Sequence, residues 1–194
     1  MCGRGWRAGV RLLVGLGNPG KKYHGTRHNI GFDVLEVLAA RAGNPARRQR
    51  FQGEYCQVSL GGFPAMLLWP LTWMNLSGGS VRAVSDFYKL EHPGILVICD
   101  DFQLPLGTIR LRSRGSAGGQ KGLADILRQL GDQAIPRLRV GIGPVPAGRD
   151  PADFVLARFS AADRPDADAA IGRAADAAEA WLASGIEQAM NRYN

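Results

Sequence analysis

The chain has 194 residues, 45% hydrophobic and 21% charged, an ordinary composition for one soluble globular domain with a sizeable core. Its 24 Lys and Arg against 17 Asp and Glu leave a formal net charge of +7, an excess that draws a protein toward polyanions such as nucleic acid. No apolar run approaches the roughly 18 residues that cross a bilayer. Three cysteines, Cys2, Cys56 and Cys99, show neither C-x-x-C spacing nor a disulfide framework, which argues against a zinc site and for a reducing, cytoplasmic compartment.

Residues 1–10 bear Arg and no acid, and lack the apolar centre of a secretory signal. They read as a disordered basic extension or the product of an upstream start codon, leaving 11–194 as one expected domain. Arg11 to Leu16 reads as a buried strand, and Asn18-Pro19-Gly20 is a turn signal, because Pro presets φ and Gly accepts positive φ. Phe32 to Ala42 spaces Val34, Leu35, Val37 and Leu38 on one helical face. Gln52 to Leu60 and Phe63 to Trp69 flank Gly61-Gly62 as an antiparallel hairpin. Ser77 is expected to cap a helix through about Lys89, and Ile95 to Cys99 is a short apolar strand broken at Asp100-Asp101. Gly107 to Arg112 alternates as a half-buried strand with basic side chains on its open face. The Gly-rich run 115–122 then leads into a helix carrying Leu123, Ile126, Leu127 and Leu130. Arg137 to Ile142 is another strand, and Ala161 to about Met190 an Ala-rich helix loosened near Gly185. This order predicts an α/β fold, a mixed and largely parallel central sheet between helices, in three layers.

Gly15-x-Gly17-x-x-Gly20 matches the dinucleotide fingerprint in letters but not in context. That fingerprint needs a helix opening at the third Gly and an acid ending a second strand about 20 residues later. Here a basic, Gly-interrupted loop follows, and Asp33 and Glu36 lie on the first helix. His24 and His28 have the spacing of helical metal ligands, yet Gly25 and the flanking turn residues argue against a helix there.

Asp100 follows the strand Ile95 to Cys99 and should reach the same mouth as the 17–32 loop. A carboxylate on one imidazole nitrogen fixes the tautomer and leaves the other nitrogen to accept a proton from water, so His28 and an acid form a candidate base. Sequence alone does not separate Asp100 from Asp101, and either can simply cap the turn that follows. Cys99 has apolar neighbours and no sign of thiolate stabilisation, and no Gly-x-Ser-x-Gly elbow exists. Asn75 is either a turn residue or an amide suited to an ester carbonyl and its attacking water. Trp73 and Met74 can line an apolar trough or belong to the core. Arg112, Arg137 and Arg139 suit a phosphate, or form a solvated face; Arg47, Arg48 and Arg50 fit a solvated face.

Taken together, Gly15-Leu16-Gly17-Asn18-Pro19-Gly20, Tyr23, Thr26-Arg27-His28-Asn29-Ile30-Gly31-Phe32, the run 70–78, Asp100-Asp101 and Arg137-Leu138-Arg139-Val140-Gly141-Ile142-Gly143 closely resemble the bacterial-type peptidyl-tRNA hydrolases. The resemblance runs from about Leu12 to the C-terminus. It implies an enzyme that hydrolyses the ester between a peptide and the 3′ end of tRNA, without cofactor or metal, as a monomer with tRNA as partner and no membrane. It further implies that His28 is the general base and that Asp100, not Asp101, orients it. Asn18 would contact the peptide beside the ester, Tyr23, Trp73 and Asn75 would bind the 3′ end or the peptide, and Arg112 with Arg139 would clamp the tRNA 5′-phosphate. The family usually reads His-Asn-Gly where this chain has Gln120-Lys121-Gly122, so Lys121 replaces a substrate-contacting Asn. A non-catalytic RNA-binding paralogue is the alternative, opposed by the joint presence of Asn18, His28, Asn75 and Asp100. A general esterase leaves the basic strand face unexplained.

Overall fold

The computed structural model describes residues 10–194, so the extension expected at 1–10 lies outside the described residues except for Val10, which is buried. Seven strands form one sheet: β1 (Arg11–Gly15), β2 (Arg48–Arg50), β3 (Gly53–Leu60), β4 (Phe63–Pro70), β5 (Ile95–Asp101), β6 (Ile109–Arg112) and β7 (Arg137–Gly141). Their order is β2-β3-β4-β1-β5-β7-β6. The four central strands β4, β1, β5 and β7 run parallel, and antiparallel partners flank them at both edges.

The α-helices among the described residues are α1 (Ile30–Arg41), α2 (Ser77–Tyr88), α3 (Lys121–Leu130), α4 (Pro151–Leu156) and α5 (Arg164–Tyr193). Because the central strands are apolar on both sides, each face of the sheet has its own core. Leu13, Leu67, Ile98, Leu138 and Val140 pack with Leu35 and Leu38 of α1 and with Ala174, Ala178 and Trp181 of α5. Leu12, Val14, Leu68, Val97 and Cys99 pack with Val81 and Val84 of α2 and with Leu123 and Ile126 of α3. The expected three-layer α/β arrangement is the observed one.

The first turn of α1 lies directly on the sheet. A Cβ on Gly31 would stand 2.5 Å from both the Ile98 carbonyl oxygen and the Leu16 nitrogen, so only glycine lets the helix start this close to the C-terminal ends of β1 and β5. That contact delivers the residues just before α1 to the mouth of the sheet.

Several boundaries differ from expectation for local reasons. Helix α1 begins at Ile30, ahead of Phe32, continuing the 3-10 turn Arg27–Asn29. Strand β5 runs through both aspartates because β7 pairs with them, Asp100 with Val140 and Asp101 with Gly141. Ser77 does not cap α2; it is already helical, and its hydroxyl donates to the Met74 carbonyl at 2.9 Å. Strand β2 and helix α4 were not expected. The first is short, polar and wholly exposed; the second has six residues, started by Asp150, whose carboxylate accepts from the Ala152 nitrogen at 2.7 Å. Gly185 does break α5, with φ 81° and ψ 176°.

Candidate active site

No helix opens at Gly20, as a dinucleotide site would require; Lys21–Tyr23 is a single 3-10 turn. The chain then turns back, and the 3-10 turn Arg27–Asn29 carries His28 to the end of β5. Its Nδ1 lies 2.8 Å from Oδ2 of Asp100, which is buried. With a carboxylate at Nδ1, the neutral ring carries its proton there and keeps a lone pair on Nε2.

Arg27 anchors this turn. Its guanidinium lies between the rings of Phe154 and Phe159, 4.5 and 4.9 Å from their centroids. It donates to the Arg158 carbonyl at 2.7 Å and pairs with Asp163 at 3.2 Å. The same residue therefore fixes both the histidine turn and the segment leaving α4.

Asn29 joins the turn to the Asn18 loop: its Nδ2 donates to the Asn18 carbonyl at 3.0 Å, and its Oδ1 accepts from the Asn18 nitrogen at 2.9 Å. The Asn18 side chain in turn accepts from the Met74 nitrogen through Oδ1 at 2.9 Å. A backbone N–H can only donate, so this bond fixes the amide orientation and leaves Asn18 Nδ2 for a bound group.

The two acids have separate partners. Asp101 pairs with Arg139 at 2.9 Å and accepts from the Gln103 nitrogen at 2.8 Å, so only Asp100 meets the imidazole. The second oxygen of Asp100 accepts from Gln120 Nε2 at 3.1 Å. Cys99, wholly buried in the core beneath α2 and α3, has its thiol pushed up to about 12 by burial and then by the Asp100 charge, which makes it an inert core residue.

These groups open onto a cleft of about 630 Å³. Asn18, His28, Trp73, Asn75, Asp100 and Lys121 all line it, with Val155 and Leu156 of α4 among the apolar residues. Trp73 is 53% exposed, and Tyr23 stands edge-on to it at 6.0 Å between centroids. Tyr23 thus supports the Trp73 ring and is not among the lining residues. Among the described residues, no group of three or more His, Cys, Asp or Glu side chains is placed to hold a metal ion.

The three strand arginines differ sharply. Arg137 is 1% exposed and donates to the carbonyls of Gly115, Ser116 and Ile135, so it holds the Gly-rich loop and is not open to a phosphate. Arg139 spans Asp101 and the Ser116 carbonyl, the latter at 3.0 Å. Arg112 is exposed on β6, opposite Arg137 in the ladder, and Arg110 is exposed opposite Arg139. Arg112 and Arg139 are therefore diagonal neighbours across β6 and β7.

The family model for peptidyl-tRNA hydrolase matches residues 12–194. The chain belongs to the peptidyl-tRNA hydrolase family. A peptidyl-tRNA hydrolase from Rhodopirellula baltica is 48% identical over 185 residues, covering 95% of this chain and 97% of that one. Another from Elusimicrobium minutum is 45% identical, covering 95% and 99%. The crystal structure of peptidyl-tRNA hydrolase from Acinetobacter baumannii superposes with a TM-score of 0.89 at 35% identity, over 95% of this chain and 94% of that one.

Within this peptidyl-tRNA hydrolase fold, Gln120, Asn29 and Arg27 are site residues that sequence reasoning did not single out. Gln120 carried one usable signal: it lies in the Gly-rich run just ahead of the helix, as the N-cap of α3.

Proposed function

We propose that this chain hydrolyses the ester joining a peptide to the 3′ end of tRNA, with a water activated by His28. The observation that carries this reading is the 2.8 Å contact of His28 Nδ1 with the buried Asp100 carboxylate, in a cleft beside Asn18. Nε2 takes a proton from water as the hydroxide oxygen attacks the ester carbonyl carbon, and the carbonyl π-electrons move onto oxygen. When the tetrahedral adduct collapses, the bond to the ribose oxygen breaks and the imidazolium returns its proton to that oxygen. The products are a free tRNA hydroxyl and a peptide carboxylic acid, which loses its remaining proton to solvent, so the base is regenerated without a covalent enzyme intermediate.

Asn18 Nδ2 and the Asn75 amide suit the peptide carbonyls next to the ester. Trp73, backed by Tyr23, offers a face for a terminal base or an apolar peptide side chain. Lys121 supplies exposed positive charge on the cleft wall, while Arg112, exposed on β6 outside the cleft lining, forms with Arg139 a phosphate clamp in which Arg139 stays tied to Asp101. Family membership supports tRNA as the substrate's carrier, and no helix among the described residues is long and apolar enough to cross a membrane. A single-domain monomer in the cytoplasm is the form in which we expect it to act. A pure RNA binder has no use for a buried acid on an imidazole. The decisive assay is release of an N-blocked amino acid from tRNA, with unblocked aminoacyl-tRNA as control; no release with pure protein would end this proposal.

A further inference from the structure

Gln120 is 6% exposed, and every polar atom of its side chain is committed. Oε1 accepts from the Leu123 nitrogen at 2.7 Å, capping α3. Nε2 lies 3.1 Å from Asp100 Oδ1 and 3.1 Å from the Met74 sulfur. Because a backbone N–H cannot accept, the Leu123 bond settles which end of the amide is oxygen, and the nitrogen end must face Asp100. An amide used this fully has no donor to spare for substrate.

We infer that Gln120 is a positioning residue for the ester hydrolysis proposed above, holding the Asp100 carboxyl rotated so that its other oxygen meets His28 Nδ1. The inference rests on that reading of His28. Its physical basis is a relay of fixed orientations: the first turn of α3 sets the amide, the amide sets the carboxylate, and the carboxylate sets the imidazole tautomer. Without the donor, the buried Asp100 carboxyl has one oxygen unpaired and is free to turn from the ring. Gln120 does so with a group that does not titrate, so the donor to Asp100 is present at every working pH.

Three variants separate this role from helix capping. Gln120→Ser keeps a good N-cap but is too short to reach Asp100. Gln120→Glu keeps the length and the capping oxygen but turns the donor into an acceptor. Gln120→His can offer a ring N–H to the carboxylate. The Ser and Glu variants are expected to lose about tenfold or more in kcat, a part of the ~10²- to 10⁴-fold that a positioned base supplies. KM for N-blocked aminoacyl-tRNA should stay within about twofold, since Asp100 orients the base and does not bind substrate. Ring ¹⁵N shifts of His28 should move from an Nδ1–H pattern toward mixed tautomers, and Gln120→His should recover most of the lost kcat. Wild-type kcat in Gln120→Ser, or a reduced kcat with an unchanged His28 ring pattern, would overturn the inference. A His28→Ala variant run alongside distinguishes the two failures: if it stays active, the base assignment falls, and if it is dead while Gln120→Ser is normal, only the role of Gln120 falls.

Discussion

Asp101 holds the Arg139 guanidinium at 2.9 Å, one residue beyond the carboxylate that meets His28. Strand alternation explains the division. Asp101 follows Cys99 onto the α2 and α3 face of the sheet, where Arg139 lies in register with Cys99, while Asp100 follows Ile98 toward α1 and the histidine turn. Adjacent acids of the same type thus have two partners: one meets the His28 imidazole, the other fixes a basic residue that also holds the Ser116 carbonyl of the Gly-rich loop.

Arg112→Ala and Arg139→Ala should therefore differ in kind. Both are expected to weaken binding of 5′-phosphorylated tRNA and lower the salt slope by about one, since each removes a phosphate contact. Arg139→Ala should also cost on the order of 3 kcal/mol in folding stability, because it leaves the buried Asp101 charge without its partner. Arg112 is exposed, and its loss should change stability by less than about 0.5 kcal/mol. Denaturant melts and binding titrations, with and without the 5′-phosphate, read both effects; equal binding losses on both RNAs would count against a clamp.

His28→Ala is expected to lower kcat by at least ~10²-fold with little change in tRNA affinity. Asp100→Asn should lose less, since it misorients the ring without removing it. Single-turnover rates with N-blocked aminoacyl-tRNA give the comparison, and near-normal turnover in His28→Ala would show that another group takes the proton.

Much of this geometry was legible because it is written locally. The β3–β4 hairpin follows from Gly61-Gly62, which adopt φ of 56° and 86° and set Leu60 opposite Phe63. That His28 meets an acid followed from two strand ends sharing one mouth, but which acid required the resemblance to a family. Distant hydrogen bonds left no mark on the sequence. Arg137 and Arg139 look alike there, yet one is sealed beneath the 115–116 carbonyls and the other bridges the Ser116 carbonyl to Asp101. Gln120 reads as a loop residue until α3 and β5 are placed side by side. Helix α4 is too short for periodicity to reveal.

Asp33, in the first turn of α1, has its carboxyl raised to about 6, chiefly by burial and against the pull of Arg164. The folded chain holds this proton more tightly than the unfolded chain, whose carboxyl titrates near 3.8. Stability should accordingly fall as pH rises from about 4 through about 6 and then level off at this site. Asp33→Asn, which carries no charge to bury, is expected to gain on the order of 1 kcal/mol over the parent at pH 8 and almost nothing at pH 4. Chemical denaturation at the two pH values tests it; an equal difference at both would mean that the charge of Asp33 costs nothing in the fold.

Lys121 is the first residue of α3, exposed, and on the wall of the cleft. A cation there opposes the helix dipole and costs about 0.3 to 1 kcal/mol, so its presence is better explained by a ligand than by the fold. Its ammonium carries three donors and no acceptor, which suits a backbone phosphate near the acceptor end and not both halves of an amide contact. Lys121→Asn should remain active with a salt slope smaller by about one. Lys121→Glu should raise KM about tenfold or more at low salt, less at moderate salt, because like charge then faces the RNA. A carboxylate at a helix N-terminus is favourable, so this variant should melt no lower than the parent, and its KM cannot be blamed on unfolding. Measuring KM and melting temperature for both variants at two ionic strengths decides the matter: a wild-type KM for Lys121→Glu would mean that the side chain points away from the RNA.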